Sequence, residues 1–182
     1  MMRLIWKAVL CAAAISACSG CAVLSKPPVG NANVPQPAKA VEIDRYLGRW
    51  YELYRYEVSF QKGCEAVFAD YSLNADGSIR VVNSCRKGAI DGPRKTATGR
   101  AKVADQASRA KLKVSFFGPF YGDYWVLDHA EDYQWSIVGE PSGRYLWVLS
   151  RDSTPTDDLR MQLRRKVKAL GYDLSRIRQT RH

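Results

Sequence analysis

The chain has 182 residues, a formal net charge of +10 and 46% hydrophobic residues. That is too apolar for a disordered polymer and enough for one domain with a buried core. There are only two histidines, one of them the C-terminal His182. No metal-spaced His/Cys cluster, Gly-x-Ser-x-Gly elbow or phosphate loop occurs, so hydrolytic, metal-dependent and nucleotide chemistry have little to work with.

The chain opens with an export signal. Arg3 and Lys7 precede a short apolar core, Ala8 to Ile15, which falls short of the ~20 residues a membrane span needs. Ile15-Ser16-Ala17-Cys18 then has the form of a lipobox, with a hydrophobic and two small residues before the cysteine that takes the lipid. This reading makes residues 1–17 the signal and Cys18 the lipidated residue. Cys18-Ser19-Gly20-Cys21 offers Cys21 as a second candidate, with a cysteine where the box wants an aliphatic residue. The same four residues have redox Cys-x-x-Cys spacing, but they lack the strand-to-helix setting that lowers a thiol pKa. Ser19 is not the aspartate that retains some lipoproteins, which points to the outer membrane, facing the periplasm. Residues 18–41, with Pro27, Pro28, Gly30, Pro35 and Pro37, read as an extended tether. Residues 42–182 form the folded domain. Its basic residues are dispersed over strands and a helix, which with export argues against a nucleic-acid partner and for a surface facing anionic headgroups.

Period-two alternation dominates from Gly48 onward. Strands are expected at 49–56, 65–73, 78–85, 97–103, 111–116, 123–129, 133–139 and 144–151. Most connections are short, as at Asn74-Ala75-Asp76-Gly77. Eight strands joined in order make an antiparallel up-and-down meander that can close into an all-β barrel. One amphipathic helix follows, with Thr154 as cap, Pro155 in the first helical position, and Asp157 and Asp158 in the first turn. Its stripe of Leu159, Leu163, Val167 and Leu170 suits packing on the outer wall. Folding back at 74–77 brings Cys64 near Cys85, so export favours a disulfide over two buried thiols. The strand parities of the two cysteines disagree, so the bond requires a bulge.

Four blocks carry a resemblance. Tyr46-Leu47-Gly48-Arg49-Trp50-Tyr51-Glu52 resembles the first lipocalin motif, and Tyr145-Leu146-Trp147-Val148-Leu149-Ser150-Arg151 resembles the third. Lys113-Val114-Ser115-Phe116-Phe117-Gly118-Pro119-Phe120 and Tyr124-Trp125-Val126-Leu127 are similar to the bacterial and apolipoprotein D branch, including its outer-membrane lipoproteins. The middle motif falls at either Asp132-Tyr133 or Asp123-Tyr124. The resemblance implies structural roles for Gly48, Trp50 and Arg151, with the arginine covering the indole and closing the barrel floor. It also implies a lipid ligand, such as a fatty acid or lysophospholipid, and no cofactor.

Parity gives a lining. If Trp50 points inward, so do Glu52 and Tyr54; if Arg151 does, so do Leu149 and Trp147. Tyr71, Asn83, Phe116 and Trp125 match cavity positions in related lipocalins. Small residues at 97, 99 and 101 leave volume for a ligand. An inward Glu52 must pair with an internal arginine or meet a ligand headgroup. Three functions remain on these grounds: a membrane-anchored carrier of an apolar ligand, an envelope adaptor with a filled barrel, and an enzyme built on His129. The carrier accounts for most of the features, and a homodimer is compatible with it.

Overall fold

The computed structural model describes residues 26–182; the signal, Cys18 and Cys21 lie outside the described residues. Alternating apolar and polar side chains give eight strands in chain order: β1 (Gly48–Tyr56), β2 (Cys64–Leu73), β3 (Ile79–Lys87), β4 (Arg94–Val103), β5 (Lys111–Phe117), β6 (Phe120–His129), β7 (Trp135–Gly139) and β8 (Leu146–Ser150). Each pairs antiparallel with the next, and β8 returns to β1 through Glu52 opposite Leu149. Pairing of β1 with β2, Trp50 opposite Ala69, closes the ring. Closure satisfies the edge amides and carbonyls that an open sheet would expose.

Two differences from the sequence expectation lie on the outer wall. A ninth strand, β9 (Ile177–Gln179), lies outside the ring against Tyr54–Tyr56 of β1. It fills the edge that β2 leaves when β2 bends at its bulge: Thr180 donates its backbone N–H to Leu53, and Ala66 donates to Arg181. Three residues are too few for a periodic signal to register. The proline-rich stretch before the barrel is the other difference. Residues 30–41 are not a free tether but a strap along the outer wall. Gly30 and Asn31 donate to the Gly143 carbonyl, Ala38 to Leu127 and Val41 to Ser108. Asn31 Nδ2 also bonds the Leu170 carbonyl at 2.8 Å. Prolines suit a strap because it needs extended backbone and few N–H donors.

The short helix α1 (Ile43–Tyr46) crosses the closed end, and α2 (Asp157–Ala169) packs outside the barrel. The α2 cap is Thr156, which accepts from the Leu159 N–H at 3.3 Å, not Thr154. Thr154 is held by the Asp152 turn instead, so Pro155 precedes the helix. Leu163 and Val167 are fully buried against Leu53, Leu127, Ile137, Leu146 and Val148 of the outer wall. Residues 26–182 thus hold all nine described strands and the packed clusters inside and outside the ring, and form one compact unit.

At the closed end the Arg151 guanidinium lies 3.7 Å from the centre of the Trp50 ring, which is fully buried. The same guanidinium donates to the backbone carbonyls of Arg45, Leu47, Arg49 and Tyr133, at 2.7–3.3 Å. Trp50 Nε1 donates to the Tyr46 carbonyl. One cation thus ties α1, β1 and the β6–β7 turn together. That turn is Asp132-Tyr133, which fixes the middle motif there and not at Asp123-Tyr124. Removing this stack and four bonds costs about 2–3 kcal/mol. Arg151→Ala should therefore lower the midpoint of thermal unfolding by roughly 5–10 °C; calorimetry checks it, and an unchanged midpoint would dissolve the pairing.

Cys64 and Cys85 form a disulfide, with Cα atoms 5.5 Å apart. The required bulge lies between Glu65 and Phe68 in β2, where Ala66 adopts φ 45°. A bond enclosing this loop restricts the unfolded chain by about 3 kcal/mol. Alkylation without reductant, read by mass, should label neither cysteine; reduction should lower the unfolding midpoint.

Candidate functional site

A cavity of about 610 Å³ occupies the barrel interior. Its floor is Trp50, Tyr46 and Leu47, and its mouth is flanked by Phe60, Phe117, Phe120 and Tyr145. The volume persists because small side chains meet across three strands: Ala69 lies opposite Asn83, and Asn83 opposite Ala97. Gly99 continues that face for a steric reason. A Cβ there would come 2.8 Å from the Phe116 ring and 2.5 Å from the Ser115 carbonyl oxygen. The glycine lets Phe116 lie flat against the wall.

Five expected lining residues are brought together here: Glu52, Tyr71, Asn83, Phe116 and Trp147. Tyr54 and Trp125 are not. A bulge between Glu52 and Tyr54 in the β1–β8 pairing shifts the parity, so Leu53 and Tyr54 both face α2. Beyond the bulge Arg55, opposite Trp147, takes the inward register that Tyr54 would have had. Trp125 pairs with Lys111 while Tyr124 pairs with the inward Leu112. Antiparallel partners share a face, so Tyr124 lines the cavity and Trp125 lies outside it. The Lys111 ammonium sits 4.6 Å above the Trp125 ring.

Glu52 is compensated within the wall. Its Oε1 accepts from Arg55 at 2.7 Å and from the Thr180 hydroxyl, and its Oε2 accepts from Gln61 at 2.7 Å. Gln61 Oε1 in turn accepts from Trp147 Nε1 at 3.0 Å. Arg55 is fully buried and also donates to the Cys64 carbonyl. Of the two fates open to an inward carboxylate, pairing with an internal arginine is the one observed. A carboxylate so engaged presents little unbalanced charge to a ligand.

Deeper in, three phenols that sequence reasoning did not group stand together. Tyr124 Oη is 3.1 Å from both Tyr46 Oη and Tyr71 Oη, and Tyr46 Oη is 3.0 Å from Ser136 Oγ. Burial pushes the Tyr46 phenol up to about 12 and those of Tyr71 and Tyr124 well above the ordinary value. All three stay neutral, so they can hydrogen-bond but offer no charge or base. Their positions were legible only as isolated aromatics, because Tyr46 precedes the first strand. The charged groups that line the outer part of the cavity are Lys95, Asp123 and Glu140. Asp123 is paired with Lys113 at 2.8 Å, and Glu140 accepts from Ser142 and Arg144 in its own loop. His129 is not a catalytic base in the cavity. Its ring nitrogens lie 2.8 and 3.0 Å from the Ala130 and Ala40 carbonyl oxygens, beneath the strap.

The lipocalin-like domain model matches residues 41–182. The chain belongs to the lipocalin family. This lipocalin is 38% identical over 151 residues to the outer membrane lipoprotein Blc of Escherichia coli (strain K12), covering 79% of this chain and 84% of that one. It is 40% identical over 151 residues to temperature-induced lipocalin-1 of Arabidopsis thaliana, covering 78% and 80%. Among solved structures the fold matches insecticyanin from the tobacco hornworm Manduca sexta. The TM-score is 0.62 at 17% identity, with 87% of this chain and 86% of that chain covered. Lipocalins bind small hydrophobic ligands, and nothing in this lipocalin's described cavity points to catalysis. Filling the small-residue layer should close the site without undoing the fold. Ala97→Phe is expected to weaken binding of a small hydrophobic ligand at least tenfold, on the order of what one overpacked position costs, with near-native thermal unfolding.

Proposed function

We propose that this lipocalin is a lipid-anchored envelope carrier that reversibly takes up a single-chain amphiphile, a fatty acid or lysophospholipid. The observation that carries this reading is the cavity itself: about 610 Å³, largely apolar and open at one end. That volume falls within the range of small-molecule sites. The acyl chain would lie against Tyr71, Asn83, Phe116 and Trp147, above the phenol cluster, while Glu52 stays in its wall network. The headgroup would stay at the mouth beside Lys95, where an anionic carboxylate or phosphate finds a cation. Burial of the chain supplies about 25 cal/mol per Å² of apolar surface, less the costs of association. Anchoring through Cys18, or Cys21, on an outer membrane facing the periplasm agrees with the lipobox and with the relatives named outer membrane lipoproteins. The filled-barrel adaptor loses ground because the barrel is not filled.

The test is a tryptophan-fluorescence titration of residues 26–182 with a fatty acid and a lysophospholipid, below their micelle concentrations. A saturable change near one ligand per barrel is expected. Trp147→Phe should diminish it, whereas Trp125→Phe should leave it. A flat response with both lipids would reject the carrier.

A further inference from the structure

The open end of the barrel carries more apolar surface than a cavity rim needs. Phe117 and Phe120, at the β5–β6 tip, are 82% and 79% exposed, and Phe60, in the β1–β2 loop, is 59% exposed. Phe60 stacks on Tyr145 across the mouth, with ring centres 6.4 Å apart. Exposed aromatics grouped at one end of a molecule mark a contact surface, since scattered ones need no explanation and grouped ones do.

Basic side chains gather at the same end. The loops and strand ends around the mouth hold Lys62, Arg86, Lys87, Arg94, Lys95 and Arg144. Of the acidic groups among them, Glu57 is engaged with Arg55 and Arg178 and Glu140 within its own loop, while Asp91 is exposed in the β3–β4 loop. The closed end is mixed instead: Asp44, Asp76, Asp105, Glu131, Asp132 and Asp152 stand among Lys39, Arg45, Arg109 and Arg151, with Asp76 paired to Arg100 and Glu131 to Lys39. The mouth is thus the end where basic side chains lie beside exposed aromatics. A negatively charged apolar layer complements that combination.

The path of the chain gives an independent reason. The strap enters at the mouth end, where Arg144 of the β7–β8 loop donates to the Pro27 carbonyl and Gly30 is bonded to Gly143. Only then does it run towards the floor at Val41. A lipid on Cys18 would lie nine residues before Pro27, a reach of at most about 30 Å. Such an anchor holds the mouth, not the floor, towards the membrane. This last argument rests on the anchored reading above, whereas the aromatic and charge arguments do not.

We infer that the mouth of this barrel docks directly on an anionic lipid surface, with Phe117, Phe120 and Phe60 entering the interfacial layer and the basic ring on the headgroups. A ligand then passes between leaflet and cavity without crossing bulk water. Aromatic rings suit that depth, being apolar in body and tolerant of the headgroup boundary.

The test uses residues 26–182, which lack both candidate lipidated cysteines, so that binding through an anchor does not contribute. Co-sedimentation is compared on phosphatidylcholine vesicles and on mixed phosphatidylcholine–phosphatidylglycerol vesicles, without added ligand. Preferential binding to the mixed vesicles is expected, weakening as salt rises. The exposed pair Phe117→Ser/Phe120→Ser should weaken it by about tenfold or more, at an unchanged unfolding midpoint. Wild-type protein remaining in the supernatant with both vesicles would overturn the inference. Undiminished binding by the double variant would do so equally. Concentration-dependent dimerisation abolished by the double variant, with no vesicle binding, would show that a second copy covers the mouth and would also overturn it. Failure here leaves the fluorescence titration as a separate readout, so the docking and the carrier reading can fail independently.

Discussion

The cavity depends on its floor. A closed eight-strand ring leaves both ends open unless something crosses one, and here the crossing piece is α1 with the chain leading into β1. It is held by one guanidinium that stacks on Trp50 and bonds four carbonyls from three segments. A neutral residue could fill the volume but could not gather that many acceptors, and a lysine would lack the planar fork. With the floor fixed, the opposite end is free to carry loops, and the interior can stay partly empty without the barrel collapsing.

The emptiness is distributed unevenly. Residues 69, 83, 97 and 99 are small or short and face a wall of Phe116, Tyr124 and Trp147. The polar groups among them are satisfied within the wall: the Glu52–Arg55–Thr180–Gln61 set near the mouth and the phenol cluster near the floor. A tube so arranged is selective by shape, not by a dedicated charge deep inside. That agrees with binding small hydrophobic ligands.

The strand order and ring closure were readable because alternation and short turns leave few other topologies, and the lipocalin blocks pointed to Trp50 and Arg151, which lie 3.7 Å apart at the closed end. The two lining errors have different causes. Parity extrapolated past a bulge inverts every later side chain, which is why Tyr54 left the cavity while Arg55 turned into the buried wall network beside Glu52. Trp125 failed differently: its neighbour Tyr124 is equally aromatic, and only pairing with Leu112 decides between them. The parity conflict between Cys64 and Cys85 was informative because a covalent bond demanded the bulge. The strap escaped notice because prolines signal extension without saying what the extended chain lies on.

That strap, with α2, has a further effect on β7. All five residues of Trp135–Gly139 are buried, since the inner face meets the cavity core and the outer face is roofed by other segments. Most of β4 lies with its outer face in water. The two strands therefore face different evolutionary rules. In β4 every second position is open to drift, while in β7 a polar substitution is costly on either side. Divergence among descendants of this sequence should collect on the bare half of the wall, and the roofed half should change slowly though it touches no ligand.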